Sequence, residues 1–210
     1  MMLVTEIKKL DSKKSLIYLD EEPAFALYRS EIRRFGIEKG NELENSMYVD
    51  ILKIILKRCR ERTAYILGRS DKTIHDLKVR LRQNYYPAMI IDRVIDEYET
   101  MGYLSDSRFA ENYIKYNMSS KSEKRIYSVL ISKGIDKAVI SKSFEAYCRD
   151  DEEYRLKQEN LIKKEFYKKK YDFDKKDKNN LSKIVASLLR KGFKYDEIMS
   201  VYTNMQTSSL

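Results

Sequence analysis

Few side chains in this 210-residue sequence are equipped for catalysis, and many are equipped to hold an anion. Its 42 lysines and arginines outnumber 33 carboxylates, for a formal net charge of +9. The cations recur at helical spacing. Lys53, Lys57 and Arg60 stand at i, i+4 and i+7, opposite an apolar stripe, and Arg69, Lys72, Lys78, Arg80 and Arg82 flank the next helix. Lys121, Lys124 and Arg125 crowd a later helix start, where cations oppose the macrodipole. A placement that costs local stability points to a use. Taken singly such residues are solvated surface, but as a repeated set they can follow a phosphate backbone or an acidic protein groove. The excess is not uniform: residues 51–104 carry a net +4, whereas residues 1–47 are slightly acidic.

Other chemistry is poorly provided for. His75 is the only histidine, and no serine, cysteine or carboxylate constellation registers to it for general-base work. Cys59 falls on an apolar stripe and reads as core; Cys148 lies at a helix end beside Arg149, Asp150 and Asp151. The two thiols lack metal-ligand spacing and suit a reducing compartment. Neither G-x-G-x-x-G nor G-x-x-x-x-G-K-[ST] can be drawn through the six glycines. No catalytic residue, cofactor or metal is therefore expected. Lys168, Lys169, Lys170, Lys175 and Lys176, interrupted by Asp172, Asp174 and Asp177, read as a helix end and linker. Charges at Glu6, Lys8, Lys9 and Asp11 leave no secretory apolar region, and no run reaches the ~18 apolar residues of a membrane span. A cytoplasmic monomer with an anionic partner and no membrane contact is expected.

The elements that position these residues are mostly helices, because six glycines and two prolines are too few for a turn-rich β fold. Short alternating runs at 3–10 and 15–19, and a third at 24–28 following Pro23, predict a small antiparallel sheet, with a short helix over 30–35. Pro23 can open a strand but not sit inside one. From Tyr48 the period becomes 3.6: Leu52, Ile55, Leu56, Cys59, Thr63, Ile66 and Leu67 form a stripe ending at Gly68. A second helix is expected after Ser70 as N-cap, with Ile74, Leu77 and Leu81 inward. A third begins near Pro87, with Ile91, Val94, Ile95 and Tyr98 on one face. The phrase repeats. Asn84, Gly134 and Gly192 each follow a second helix as left-handed-tolerant residues, and six positions on stand Ile90, Ile140 and Ile198. The expected fold is mainly α: tandem three-helix modules in an elongated curved array, preceded by a small N-terminal antiparallel β element. The expected boundaries are 1–47, 48–104, 105–149 and 150–210.

Between the first two modules the chain reads Gly102-Tyr103-Leu104-Ser105-Asp106-Ser107-Arg108-Phe109-Ala110-Glu111-Asn112-Tyr113. This resembles the G-x-L-(D/N)-D-x-R-F-A-x-x-Y signature of the RecX family, bacterial modulators of the RecA recombinase. The stretches around Tyr18 to Leu27, Ala64 to Ser70 and Arg125 to Ile135 are similar to that family in the same order. Ser105 departs from the usual acid or amide, and Ser119-Ser120-Lys121 replaces a common glycine. The resemblance implies a protein without a catalytic site that lies in the groove of a RecA–DNA filament. It further implies lowered ATP hydrolysis, strand exchange and coprotease activity, with weak or indirect DNA contact. The signature residues Gly102, Leu104, Asp106, Arg108, Phe109, Ala110 and Tyr113 have a structural reading as well. Ser105 or Asp106 caps a helix, Phe109, Ala110, Tyr113 and Ile114 share one buried face, and Arg108 pairs with a neighbouring carboxylate. Two other readings stay open: a helical protein binding DNA without RecA, and a scaffold for an unrelated acidic protein.

Overall fold

The computed structural model describes residues 1–147, 151–175 and 177–207. Cys148, Arg149, Asp150 and Lys176, singled out above, lie outside the described residues, as does the side chain of Asp151. The chain forms two compact units, Met1–Ser105 and Asp106–Leu210.

In the first unit, β1 (Met2–Lys9), β2 (Lys14–Leu19) and β3 (Glu22–Tyr28) are joined by short turns, and α1 (Arg29–Arg34) follows. A two-residue strand β4 (Glu42–Leu43) completes an antiparallel sheet in the order β3-β2-β1-β4. This last strand is too short to show a period in sequence. Glu22, not Pro23, opens β3, and Pro23 sits opposite Tyr18. A proline is tolerated there because β3 is an edge strand whose outward N–H has no ladder partner to lose. Three helices follow: α2 (Asn45–Leu67), α3 (Ile74–Arg82) and α4 (Ala88–Thr100). A small sheet alone is marginal in water, and this one is not alone. Val4, Ile17, Phe25 and Leu27 join Ile51, Ile55, Cys59, Leu77, Leu81, Ile91 and Val94 in one continuous core. Arg58 pins α2 to the sheet. Its guanidinium lies 3.2 Å from Glu31, donates to the Ala26 carbonyl at 3.2 Å and covers the Tyr28 ring at 5.1 Å.

The second unit is helical: α5 (Asp106–Asn117), α6 (Glu123–Ser132), α7 (Lys137–Tyr147), α8 (Asp151–Lys168), α9 (Lys178–Lys191) and α10 (Tyr195–Thr207). It holds two separate cores. Ala110, Ile114, Met118, Ile126, Leu130, Ile135, Ile140 and Phe144 form one. Ile162, Phe166, Ile184, Leu188, Phe193, Ile198 and Val201 form the other. The second core is the more aromatic, with Phe166, Tyr171, Phe173 and Tyr202 in mutual ring contact at 4.9–6.0 Å between centroids.

The repeat is present in the backbone, one residue away from where its first copy was expected. Left-handed conformation falls at Tyr85 (φ 60°), not at Asn84, and at Gly134 (77°) and Gly192 (95°). The next amide then reaches back five residues to a buried leucine: Tyr86 to Leu81, Ile135 to Leu130, Phe193 to Leu188, at 3.2–3.4 Å. This is the Schellman closure. Six positions on, the equivalent residue is Ile91 rather than Ile90, alongside Ile140 and Ile198, and all three are buried. Their amides make the first helical bonds, to Pro87, Asp136 and Lys194. The second helix also starts later than expected. Thr73, not Ser70, caps α3, accepting from the Asp76 amide at 3.1 Å. Ser122 caps α6 in the same way, from Arg125 at 3.3 Å.

Candidate functional site

Of the three cations expected on one face of α2, one is engaged by another helix. Lys53 pairs with Asp50 one turn away at 2.9 Å. Arg60 makes a two-pronged bond to Glu97 of α4, both contacts at 2.7 Å, and Arg93 joins at 3.2 Å. Arg60 holds the Glu97 carboxyl below its ordinary range, since a bidentate guanidinium favours the charged form. The backbone carbonyl of Arg60 also accepts from the Tyr98 hydroxyl at 3.0 Å. Arg60 is thus a clamp between two helices, and Lys57 is exposed and forms no ion pair among the described residues.

On the opposite flank of α2, Arg69 of the expected cations is joined by Arg62 and Tyr65, which are not among the expected residues. Arg62 and Arg69 both lie over the ring of Tyr65, at 5.4 and 5.0 Å from its centroid. Tyr65 is 52% exposed. The arginines stand at i−3 and i+4 from it, so a helix brings all three to one flank, and that spacing is legible by eye. Just beyond, Lys72 donates to the Ser70 hydroxyl at 2.6 Å. Arg80 and Arg82 are exposed on α3, whose Lys78 is paired with Asp92 at 2.7 Å. Residues 57–82 carry a net +6. Within them Lys57, Arg62, Arg69, Lys72, Arg80 and Arg82 form no ion pair among the described residues.

The second cationic group has another fate. The Lys121 ammonium donates to the Tyr113 hydroxyl at 2.9 Å and to Asn117 Oδ1 at 2.6 Å, and lies 5.1 Å from the Tyr113 ring. Lys124 abuts the turn at Gly192, where an added Cβ would stand 3.0 Å from Lys124 Cβ. Ser122, the cap of α6, donates its hydroxyl to the Lys191 carbonyl. Arg125 is exposed. Beside this junction opens a cavity of about 910 Å³ whose walls include Glu123, Lys124, Tyr127, Tyr154, Phe193 and Tyr195. Its charges are mixed, and the Tyr154 hydroxyl donates to Glu123.

The signature segment ends α4 and begins α5. Gly102 turns the chain at φ 73°, and the Tyr103 and Leu104 amides return to the Tyr98 carbonyl at 2.9 and 3.1 Å. Leu104, Ala110 and Ile114 are buried, while Phe109 and Tyr113 are half-buried and stacked at 6.3 Å. Asp106 lies in the first turn of α5, and Arg108 is exposed. Among the described residues, no group of three or more His, Cys, Asp or Glu side chains is placed to hold a metal ion. None of their helices is long and apolar enough to cross a membrane. His75 is exposed on α3, and Cys59 is fully buried, its thiol pushed up to about 12 by loss of solvent.

A protein named Regulatory protein RecX from Bacillus velezensis is 30% identical over 210 residues, covering 94% of this chain and 75% of its own length. The chain belongs to the RecX family. A second RecX, from Clostridium acetobutylicum, is 28% identical over 207 residues and covers 94% of both chains. Another, from Clostridioides difficile, is 28% identical and spans 98% of this chain and 96% of its own. No family model matches the sequence. Two crystal structures share the fold. One, of a regulatory protein RecX, superposes with a TM-score of 0.63 at 19% identity, over 96% of this chain and 98% of that one. The other, of RecX from Lactobacillus salivarius, gives 0.64 at 24% identity, over 74% and 99%. Membership in RecX carries a regulatory role, and the mainly helical chain with its small N-terminal sheet is the RecX fold.

Proposed function

We propose that this chain is a non-catalytic regulator that binds the RecA–DNA filament and lowers its ATP hydrolysis, strand exchange and coprotease activity. Membership in the RecX family carries the reading. The unpaired cations of residues 57–82 support it, because a filament of protein and DNA presents acidic and phosphate surface that such a strip complements. The chain acts as a monomer in the cytoplasm. Its modules at 48–104, 105–149 and 150–210 follow the filament groove, and the sheet of 1–47 is braced on the first of them. The contacts fall to Lys57, Arg69, Lys72, Arg80 and Arg125.

The test is the DNA-dependent ATPase of a RecA filament with increasing amounts of the chain. The rate falls as the chain saturates the filament; an unchanged rate at large excess overturns the reading. Charge reversal at Arg69, Lys72 and Arg80 together weakens inhibition and flattens its salt dependence. Inhibition untouched by that triple change would put the contact elsewhere on the chain.

A further inference from the structure

We infer that the Arg62–Tyr65–Arg69 stack is a sequence-independent clamp for the phosphate backbone of single-stranded nucleic acid, a site that deepens the filament-binding reading and rests on it. Three observations carry it. The first is geometry. A guanidinium lying over a ring keeps its in-plane N–H donors at the edge, and edge donors are what bind a phosphate with two parallel bonds. Tyr65 holds two such groups on one flank of α2, reducing the freedom each must lose on binding.

The second is the absence of internal competition. Arg58, Arg60 and Lys78 of the same stretch are matched to Glu31, Glu97 and Asp92. Arg62 and Arg69 have no carboxylate among the described residues.

The third separates nucleic acid from protein as the occupant. A protein-binding patch has an apolar centre inside a polar rim. Here the exposed neighbours are Glu61, Ala64, Gly68, Ser70 and Asp71, and Tyr65 is the one large apolar side chain. A cationic surface with so little apolar area matches a phosphate backbone, whose binding is dominated by charge. Both arginines approach the Tyr65 ring, so the ring serves as their platform rather than as a stacking surface for bases. Sequence preference is accordingly weak.

The experiment titrates the full chain, without RecA, into a fluorescein-labelled oligothymidylate across a series of salt concentrations. Each phosphate neutralised on a single strand contributes a slope of about −0.7 in log K against log salt. Arg62→Gln with Arg69→Gln therefore makes the slope less negative by about 1.4. Tyr65→Ala leaves both charges and is expected to lower affinity with little change of slope. Lys137→Gln with Lys142→Gln removes two exposed charges from α7 and serves as the control. An equal slope change in that control overturns the proposal, because binding is then diffuse. A double arginine variant that loses filament ATPase inhibition but binds the oligonucleotide as the parent does also overturns it, making the stack a protein contact and leaving the filament reading intact. Failure of the parent chain to inhibit RecA, with oligonucleotide binding and the slope change preserved, strikes the filament reading alone.

Discussion

The starts of α3 and α6 occupy the same place in successive repeats, and the cations beside them are used differently. Both helices are capped by a buried hydroxyl accepting from the amide three residues on, Thr73 in one and Ser122 in the other. Around Thr73 the cations Arg69, Lys72 and Arg80 meet no carboxylate among the described residues. Around Ser122 one charge is folded in, Lys121 being laid on Tyr113, while the stem of Lys124 runs against the turn at Gly192 and Arg125 is exposed. The difference follows from what stands next to each start. Within the second unit the α9–α10 turn abuts α6, and Ser122 donates to its Lys191 carbonyl. A repeat thus conserves the backbone device and leaves the side chains around it to serve either cohesion or recognition.

The comparison can be broken at several levels. The largest effect belongs to the leucines that receive the closing amide. Leu81→Ala, Leu130→Ala and Leu188→Ala each remove a fully buried side chain and should cost about 2–5 kcal/mol. Denaturant unfolding followed by tyrosine fluorescence checks this. One leucine at under half the cost of the others would show that the three closures are not equivalent. Next come the glycines. Gly102→Ala meets open space and is charged only for its positive φ, about 1–2 kcal/mol. Gly192→Ala also meets Ser122 and Lys124 at 3.0 Å and should cost about 1 kcal/mol more. Equal melting shifts in the two variants would mean that the α6 contact yields freely.

The caps rank below these. Thr73→Ala should lose about 1 kcal/mol as an N-cap. Ser122→Ala leaves the Lys191 carbonyl without its donor as well and should lose about 2 kcal/mol, read from the same unfolding curves. The smallest effect concerns a first-module cation that, like Lys121, is engaged within the fold. Arg60 lowers the Glu97 carboxyl from its ordinary 4.5. Stability from this pair is present above that value and is lost as pH falls through the lower folded one. Arg60→Gln should therefore shrink the acid-induced drop in melting temperature below pH 4.5, modestly, since the pair is solvent-exposed. An unchanged acid limb would remove Arg60 from the clamp.

How far these features were legible depends on their range along the chain. The three-helix phrase was, because apolar period and a left-handed residue near each second-helix end are local. Its first copy was misplaced by one residue: composition favours Asn84 for the left-handed turn, but the bond from Tyr86 to Leu81 puts Tyr85 there. Ser70 looked like a cap by type, yet Thr73 stands where the chain is extended and buried. Arg60 and Glu97 lie 37 residues apart, so no local pattern could withdraw Arg60 from the free cations. The Arg62–Tyr65–Arg69 spacing is visible in the sequence, but a tyrosine at a stripe edge reads as packing until its ring is seen beneath two guanidinium groups.

Cys59 offers a last consequence. Its sulfur is sealed at the centre of the first unit, and the thiolate that reacts with alkylating reagents is nearly absent there. With Cys148 replaced by serine, labelling could proceed only through molecules in which α2 has come away from the sheet and its partner helices. The rate of that labelling would time the spontaneous opening of the N-terminal unit under native conditions. Slower labelling on a RecA–DNA filament would report, from a buried atom, that the outer surface of α2 had been gripped.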